Sequence, residues 1–263
     1  MISLYNALKE SLLGDFDELE ASMDPIKEIE QFIKDNYQIR GDIQISKEPN
    51  ENGKYEVSCR DAEVKDIRIT SLTNNLFEWG EVYGCFDCMF CKSLISLKGA
   101  PKKVGKFFNC IYCEKLISLD GAPKEVGGNF SCANCNSLKS LDGAPEKVSR
   151  DFNCSNCDSL TSLEGAPKEV GLDFDCYGCQ SLTSLKGCPK KVRGNFNCGY
   201  CGKLISLEGT PEKINGYFDC SYCTSLTSLK GAPKKVGGSF SCEGCNFTED
   251  DVKKVCDVKN IHV

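Results

Sequence analysis

Apolar positions along most of this chain recur with a period of 22. CxxC pairs begin at Cys88, Cys110, Cys132, Cys154, Cys176, Cys198, Cys220 and Cys242, each 22 residues after the last, without insertion or deletion. The unit reads F-x-C-x-x-C-x-x-L-x-x-L-x-G-x-P-x-x-[VI]-x-x-x. A short period of this strictness predicts a solenoid, in which no unit buries its own apolar face and each coil covers its neighbour. Phe130 and Cys132 are two apart, so a strand turns both inward while Asn129, Ser131 and Ala133 face out. Cys135, Leu138 and Leu141 follow at intervals of three, too wide for a strand, and Gly143 and Pro145 stop a helix. An irregular or polyproline-like return is expected, with Val148 re-entering the core before the next strand. Each coil then gives one strand to a parallel sheet, and eight coils at ~4.8 Å each span roughly 35 Å.

An open stack exposes an apolar coil at each end, so caps are expected. Leu4, Leu8 and Leu12 share a helical face, and Asp24-Pro25 starts a helix carrying Ile26, Ile29 and Ile33. These make residues 1–36 a helical leader or cap, the leader serving as packing or as an address or docking peptide. Within 37–84, Ile43 and Ile45 alternate against Tyr55, Val57 and Cys59 around the turn PNENG, which predicts a β-hairpin. Ile67, Ile69, Leu72, Trp79 and Val82 resemble one degenerate coil. Residues 85–245 hold the eight repeats, and 246–263 form the second cap, where Thr248 starts a short helix over Glu249–Cys256 with Asp251 placed to cap it.

Composition narrows the setting. The 263 residues include 20 Cys and one His, and 40% are hydrophobic, which fits neither disorder nor a collagen-like chain. No apolar run approaches the ~18 residues that span a bilayer. The acidic N-terminus lacks the pattern of a secretory signal, so a cytoplasmic, reducing location is expected. There, cysteines act as thiols or metal ligands more often than as a disulfide framework.

The frame Phe130-x-Cys132-x-x-Cys135-x-x-Leu138-x-x-Leu141 resembles the leucine-rich repeat, with Phe and Cys at the strand leucines and the second Cys at the Asn-ladder position. The helix-free return SLDGAPEKV resembles that of the bacterial effector-type subclass, although G-A-P stands where leucine-proline pairs are expected. The runs SLTSLEGAPKEVG and SLTSLKGAPKKVG resemble Cys-rich 22-residue repeats of bacteriophages and other large-genome viruses, and the opening SLYNALKESLLGDFDELE resembles a leader on phage-encoded proteins. The resemblance covers residues 86–245. It implies a leucine-rich-repeat-like solenoid with a concave parallel sheet, an α/β N-terminal cap and a short C-terminal helical cap. Secreted ubiquitin ligases with similar repeats carry a separate catalytic domain after them, and the 18 residues after Cys245 are too few for one.

Charge divides the chain. Residues 1–84 hold 9 Lys+Arg and 18 Asp+Glu, net −9, whereas 85–245 hold 20 and 16, net +4. Outward strand positions carry no Lys or Arg but include Asp87, Asp151, Asp173, Asp175, Asp219 and Glu243. Such a face repels phosphate backbones, so nucleic acid is not an expected partner, nor is a membrane. It also carries Phe90, Phe107, Tyr112, Tyr177, Tyr200, Tyr217 and Tyr222, rigid aromatics that either stack on one another or anchor a partner. Asp87, Phe90, Tyr112, Asp175, Tyr177, Tyr200, Tyr217, Asp219 and Tyr222 are the candidate partner-binding residues. The lysines gather on the return side, as Lys98/Lys102/Lys103, Lys186/Lys190/Lys191 and Lys230/Lys234/Lys235. Without interleaved aromatics they form a solvated mixed surface rather than a nucleic-acid site.

CxxC pairs also suit zinc, an iron–sulfur cluster or redox chemistry. Here both Cys of every coil fall where the frame needs small apolar groups, and a thiol column can hydrogen-bond to carbonyls of the next coil. Cofactors are therefore not expected. Cys85 and Cys188 break the frame and are the expected exposed thiols. The sole histidine, His262, lies in a tail expected to fray, and there is no HExxH, P-loop or dinucleotide fingerprint, so no enzyme is expected. The expected function is a monomeric, non-enzymatic protein-binding scaffold, phage-encoded and directed at a host factor. The alternatives are a metal-binding or redox-responsive Cys-ladder protein and a virion structural or adhesin component.

Overall fold

The structure is a computed structural model that describes residues 24–263. The leader positions Leu4, Leu8 and Leu12 lie outside the described residues. The chain begins with helix α1, Pro25–Asn36, as the Asp-Pro signal predicts: Asp24 accepts the Ile26 N–H at 3.0 Å, and Pro25 occupies the first turn, where its missing N–H leaves no helical bond unmade. Ile29 and Ile33 face inward and are buried. The chain then turns directly into β1, Tyr37–Ile45, which pairs antiparallel with β2, Tyr55–Val64. This is the expected hairpin, longer than its alternation indicates.

Strand β2 is the template for the rest. Its first half pairs in parallel with β3, Phe77–Val82, with an irregularity between Val57 and Cys59, and its second half pairs with Phe86–Asp87. Each later coil divides the same path into two strands of two or three residues. Phe strands, from Phe86–Asp87 and Phe108–Asn109 to Ser239–Ser241, form one parallel ladder. Val strands, from Lys103–Val104 to Lys235–Val236, form a second. One strand per coil is expected from the frame; the second arises because Val126 and its equivalents enter the core in extended backbone just before the bend that leads to the next Phe. The helix-free return is as expected.

The interior is a set of stacked columns. Phe86, Phe108, Phe130, Phe152, Phe174, Phe196, Phe218 and Phe240 are fully buried, with successive ring centroids 5.0 to 5.7 Å apart. The frame leucines are buried as well, as are both cysteines of each pair, apart from half-buried Cys245. At the N-terminal end the Phe column meets an aromatic plug. Trp79 lies 5.8 Å from Phe86 and 5.1 Å from Tyr37, and both Trp79 Nε1 and Tyr37 Oη donate to the Leu72 carbonyl. Ile69, Leu72, Trp79 and Val82 are buried as the degenerate coil requires, whereas Ile67 is exposed.

At the C-terminal end helix α2, Glu249–Val255, starts with a reciprocal cap: Thr248 accepts the Asp251 N–H, and Asp251 accepts the Thr248 N–H. Residues Asn260–His262 form one more strand, paired in parallel with Ser239–Ser241, and the His262 carbonyl accepts the Cys242 N–H at 2.8 Å. This tail, expected to fray, instead closes the Phe ladder. Among the described residues no helix is long and apolar enough to cross a membrane.

Leu160 and Leu182 are fully buried between coils. Replacing either by Ala is expected to lower unfolding stability by ~2 to 5 kcal/mol in denaturant titrations. A loss below ~1 kcal/mol would place them at a surface.

Candidate functional site

The outward side of the Phe strands is built from four columns. They are the residue before Phe, the residue after it, and the two residues inside CxxC. The residue after Phe is usually Asp or Asn, and its first task is local. Asp87, Asp175 and Asp219 accept the backbone N–H two residues on, from Met89, Tyr177 and Ser221, at 2.8 to 2.9 Å, and Asn109, Asn153 and Asn197 do the same. These Asx turns bend the chain into CxxC. Two coils hold Ser there: Ser241 Oγ pairs with Ser221 Oγ, whereas Ser131 Oγ is buried and has no hydrogen-bond partner among the described residues.

The column before Phe ties coil to coil. Asp151 Oδ1 accepts the Asp173 N–H at 3.2 Å, Asp173 Oδ1 the Asn195 N–H at 2.7 Å, and Asn195 Oδ1 the Tyr217 N–H at 2.9 Å. Asp151 and Asp173 thus belong to a hydrogen-bonded side-chain ladder, which the sequence reading treats only as charge.

The second residue inside CxxC sits in left-handed backbone. Phe90, Tyr112, Asn134, Asn156, Tyr200 and Tyr222 have φ between +54° and +61°, with Gly178 and Gly244 at +70° and +69°. Gly and Asn adopt this region readily, but a bulky aromatic there is uncommon and strained by roughly 1 kcal/mol or more. Four coils nevertheless seat an aromatic, each 40 to 43% exposed. Phe90 stacks on Tyr112 with centroids 5.0 Å apart, and Tyr200 on Tyr222 at 4.5 Å. Half-buried Tyr177 occupies the preceding position, leaving Gly178 in the left-handed seat, and its ring meets Tyr200 at 5.0 Å. The Tyr222 ring lies against Gly244, where a Cβ would come within 2.6 Å of it.

The candidate residues therefore fall into two groups. Phe90 and Tyr112 lie in the first two coils beside Met89, Ile111 and Phe107. Asp175, Tyr177, Tyr200, Tyr217, Asp219 and Tyr222 lie in the fifth to seventh, separated from the first group by coils bearing Asn134 and Asn156. Asp87 is half-buried near the first group and apart from the other two aspartates. Burial first, then the neighbouring Asp173 and Asp219, raises the Asp175 carboxyl above its ordinary range, against the Tyr177 N–H that lowers it. Burial, then the charges of Asp173, Asp175 and Asp219, raises the Tyr217 hydroxyl too.

The two faces differ in how charge is balanced. On the return side, ion pairs join residues 22 apart in successive coils: Lys98 with Asp120, Lys186 with Glu164, Lys230 with Glu208 and Lys234 with Glu212. On the strand face, Asp87, Asp175 and Asp219 pair with no Lys or Arg among the described residues.

The thiols are used internally. The first Cys of a pair donates to a carbonyl of the following coil, as Cys110 Sγ does to Ser131 O at 3.3 Å. The second donates backwards, as Cys113 Sγ does to Cys88 O and Cys135 Sγ to Cys110 O, both at 3.2 Å. Among the described residues no three His, Cys, Asp or Glu side chains are grouped to hold a metal ion. Cys85 is half-buried, but Cys188, expected to be exposed, is buried against the Pro189 turn, because the Ala position it fills faces inward. Burial pushes the Cys59, Cys91 and Cys242 thiols up to about 12, and Cys188 rises from the same cause.

Thiol labelling of the folded protein is expected to modify Cys85 and Cys245 first, with the other described cysteines reacting only after unfolding. Because Cys59, Cys91, Cys188 and Cys242 keep protons that the unfolded chain releases near pH 8.5, the stability they contribute is intact below that pH. It should fall above it at ~1.4 kcal/mol per pH unit for each such thiol, until the folded thiols ionise. A flat stability profile between about pH 8.5 and 10.5 would contradict the buried ladder. Ser131→Asn, which restores the Asx turn, should raise stability by ~0.5 to 1.5 kcal/mol in the same titrations. Neither a family model, nor a curated protein, nor a solved structure matches this chain.

Proposed function

We propose that the protein is a non-enzymatic scaffold of the leucine-rich-repeat kind that binds another protein through the outward face of its Phe strands. The observation that carries this reading is the left-handed column. Asn134, Asn156, Gly178 and Gly244 show that the bend closes comfortably on Asn or Gly, yet Phe90, Tyr112, Tyr200 and Tyr222 occupy the same seat while exposed. Backbone strain together with exposed aromatic surface does not serve the coil, and ring stacking offsets only part of it, about 0.5 to 1.5 kcal/mol per pair. Rigid aromatics with few torsions to freeze are effective anchors at protein interfaces. The flanking carboxylates would steer the encounter and make it salt-dependent. The resemblance of the repeats and of the leader to phage-encoded sequences favours a phage-encoded protein working as a monomer on a factor in the host cytoplasm.

The test uses the residue that neighbouring coils already carry. Tyr200→Asn with Tyr222→Asn, combined with Tyr177→Ala, should leave unfolding stability within ~1 kcal/mol of the parent, since relieved strain offsets lost stacking. The same variant should lose the proteins that the parent recovers in affinity purification from expressing cells. Unchanged recovery with the fold intact would remove the strand face from the function.

A further inference from the structure

Resting on that reading, we propose that the partner presents an extended cationic segment, with arginine side chains seated on the tyrosine face of the fifth to seventh coils. Charge complementarity chooses this occupant. The four outward columns contain no Lys or Arg in any repeat. In the fifth to seventh coils the positions bordering these columns are Leu172, Gly194 and Gly216 on one side and Gln180, Gly202 and Thr224 on the other, none of them basic. The return-side carboxylates of Glu164 and Glu208 find lysines one coil away, whereas Asp175 and Asp219 each spend one oxygen on an Asx turn and leave the other without a cation among the described residues. A partly buried carboxylate without a counter-charge is unfavourable, and an incoming guanidinium removes that penalty while lying against tyrosine rings.

Spacing adds a second constraint. Asp175 and Asp219 are two coils apart, ~10 Å, which an extended segment along the stack spans in about three residues. The stacked Phe90–Tyr112 pair, with Met89 and Ile111, lies ~20 Å toward the N-terminal end and has an apolar surround. A segment with two arginines three residues apart and an apolar residue about six residues away matches both groups.

The test measures fluorescence anisotropy of a short labelled peptide of that pattern against the full chain, at low and raised salt. Versions carrying lysine or glutamate in place of arginine serve as comparators. The arginine peptide should bind, weaken with salt, and exceed the glutamate version. Asp175→Asn with Asp219→Asn keeps the Asx turns, as Asn109, Asn153 and Asn197 do, and should weaken binding by about tenfold or more. Glu164→Gln with Glu208→Gln on the return side should not weaken it. Equal binding by the Asn variant or by the glutamate peptide would overturn the proposal, as would a saturable calcium site that displaces the peptide and is lost in the Asn variant. If the cellular partner is lost with the tyrosine replacements but not with the Asn pair, the cationic assignment fails and the protein-binding reading stands. If neither set matters, both fail.

Discussion

The fold depends on one constraint: a 22-residue coil encloses too little apolar surface to hold its own shape, so each buried group must find its partner in the next coil. Phe152 stacks on Phe130 and Phe174 rather than on anything in its own coil. The cysteines meet the same constraint with a polar function. A bend of two-residue strands leaves carbonyls pointing along the stack, and a side chain filling the narrow interior must both pack and donate. A thiol does both, being as readily buried as a small hydrophobe while its S–H reaches a carbonyl one coil away. Larger aliphatic groups would fill the space without donating, and a hydroxyl would carry a greater desolvation penalty.

The demand for partners one coil away then sorts the surface. On the return side many charges meet it, because columns of opposite charge place Lys and Glu 22 residues apart. Exposed pairs of this kind contribute little each, so their effect is to leave that surface balanced rather than to hold the coils together. On the strand face Asn129, Asp151, Asp173 and Asn195 accept the next coil's N–H groups, and the Asp and Asn residues after Phe are engaged by Asx turns. What remains without a counter-charge is the second oxygen of Asp87, Asp175 and Asp219, beside stacked aromatics whose outer edges stay exposed.

The period, the inward columns and the hairpin are legible in the sequence because each is a statement about burial at a fixed spacing. The misses share a different cause. Asp151 and Asp173 look like charge in a string of letters, whereas their hydrogen bonds run between residues 22 apart and emerge only when the repeats are aligned as columns. The same alignment would have revealed the left-handed seat, since Asn134, Asn156, Gly178 and Gly244 share one position and all tolerate positive φ. Cys188 departs from the consensus yet is buried, because the Ala position it fills packs against the core. The Asn260–His262 strand carries no periodic signal, and its pairing follows only from the open edge that the last Phe strand offers.

The fifth coil separates backbone need from surface need. There Gly178 takes the left-handed seat, so the bend is relaxed, yet an aromatic is still present one residue earlier as Tyr177 and still reaches Tyr200. If aromatics occupied the seat for the sake of the bend, a coil with Gly would have no reason to carry one beside it. If they served only to stack, the third and fourth coils, with Asn134 and Asn156, would interrupt the column at a cost the stack visibly tolerates. Neither the bend nor the stack accounts for the tyrosines, which leaves their outward edges as the feature they have in common.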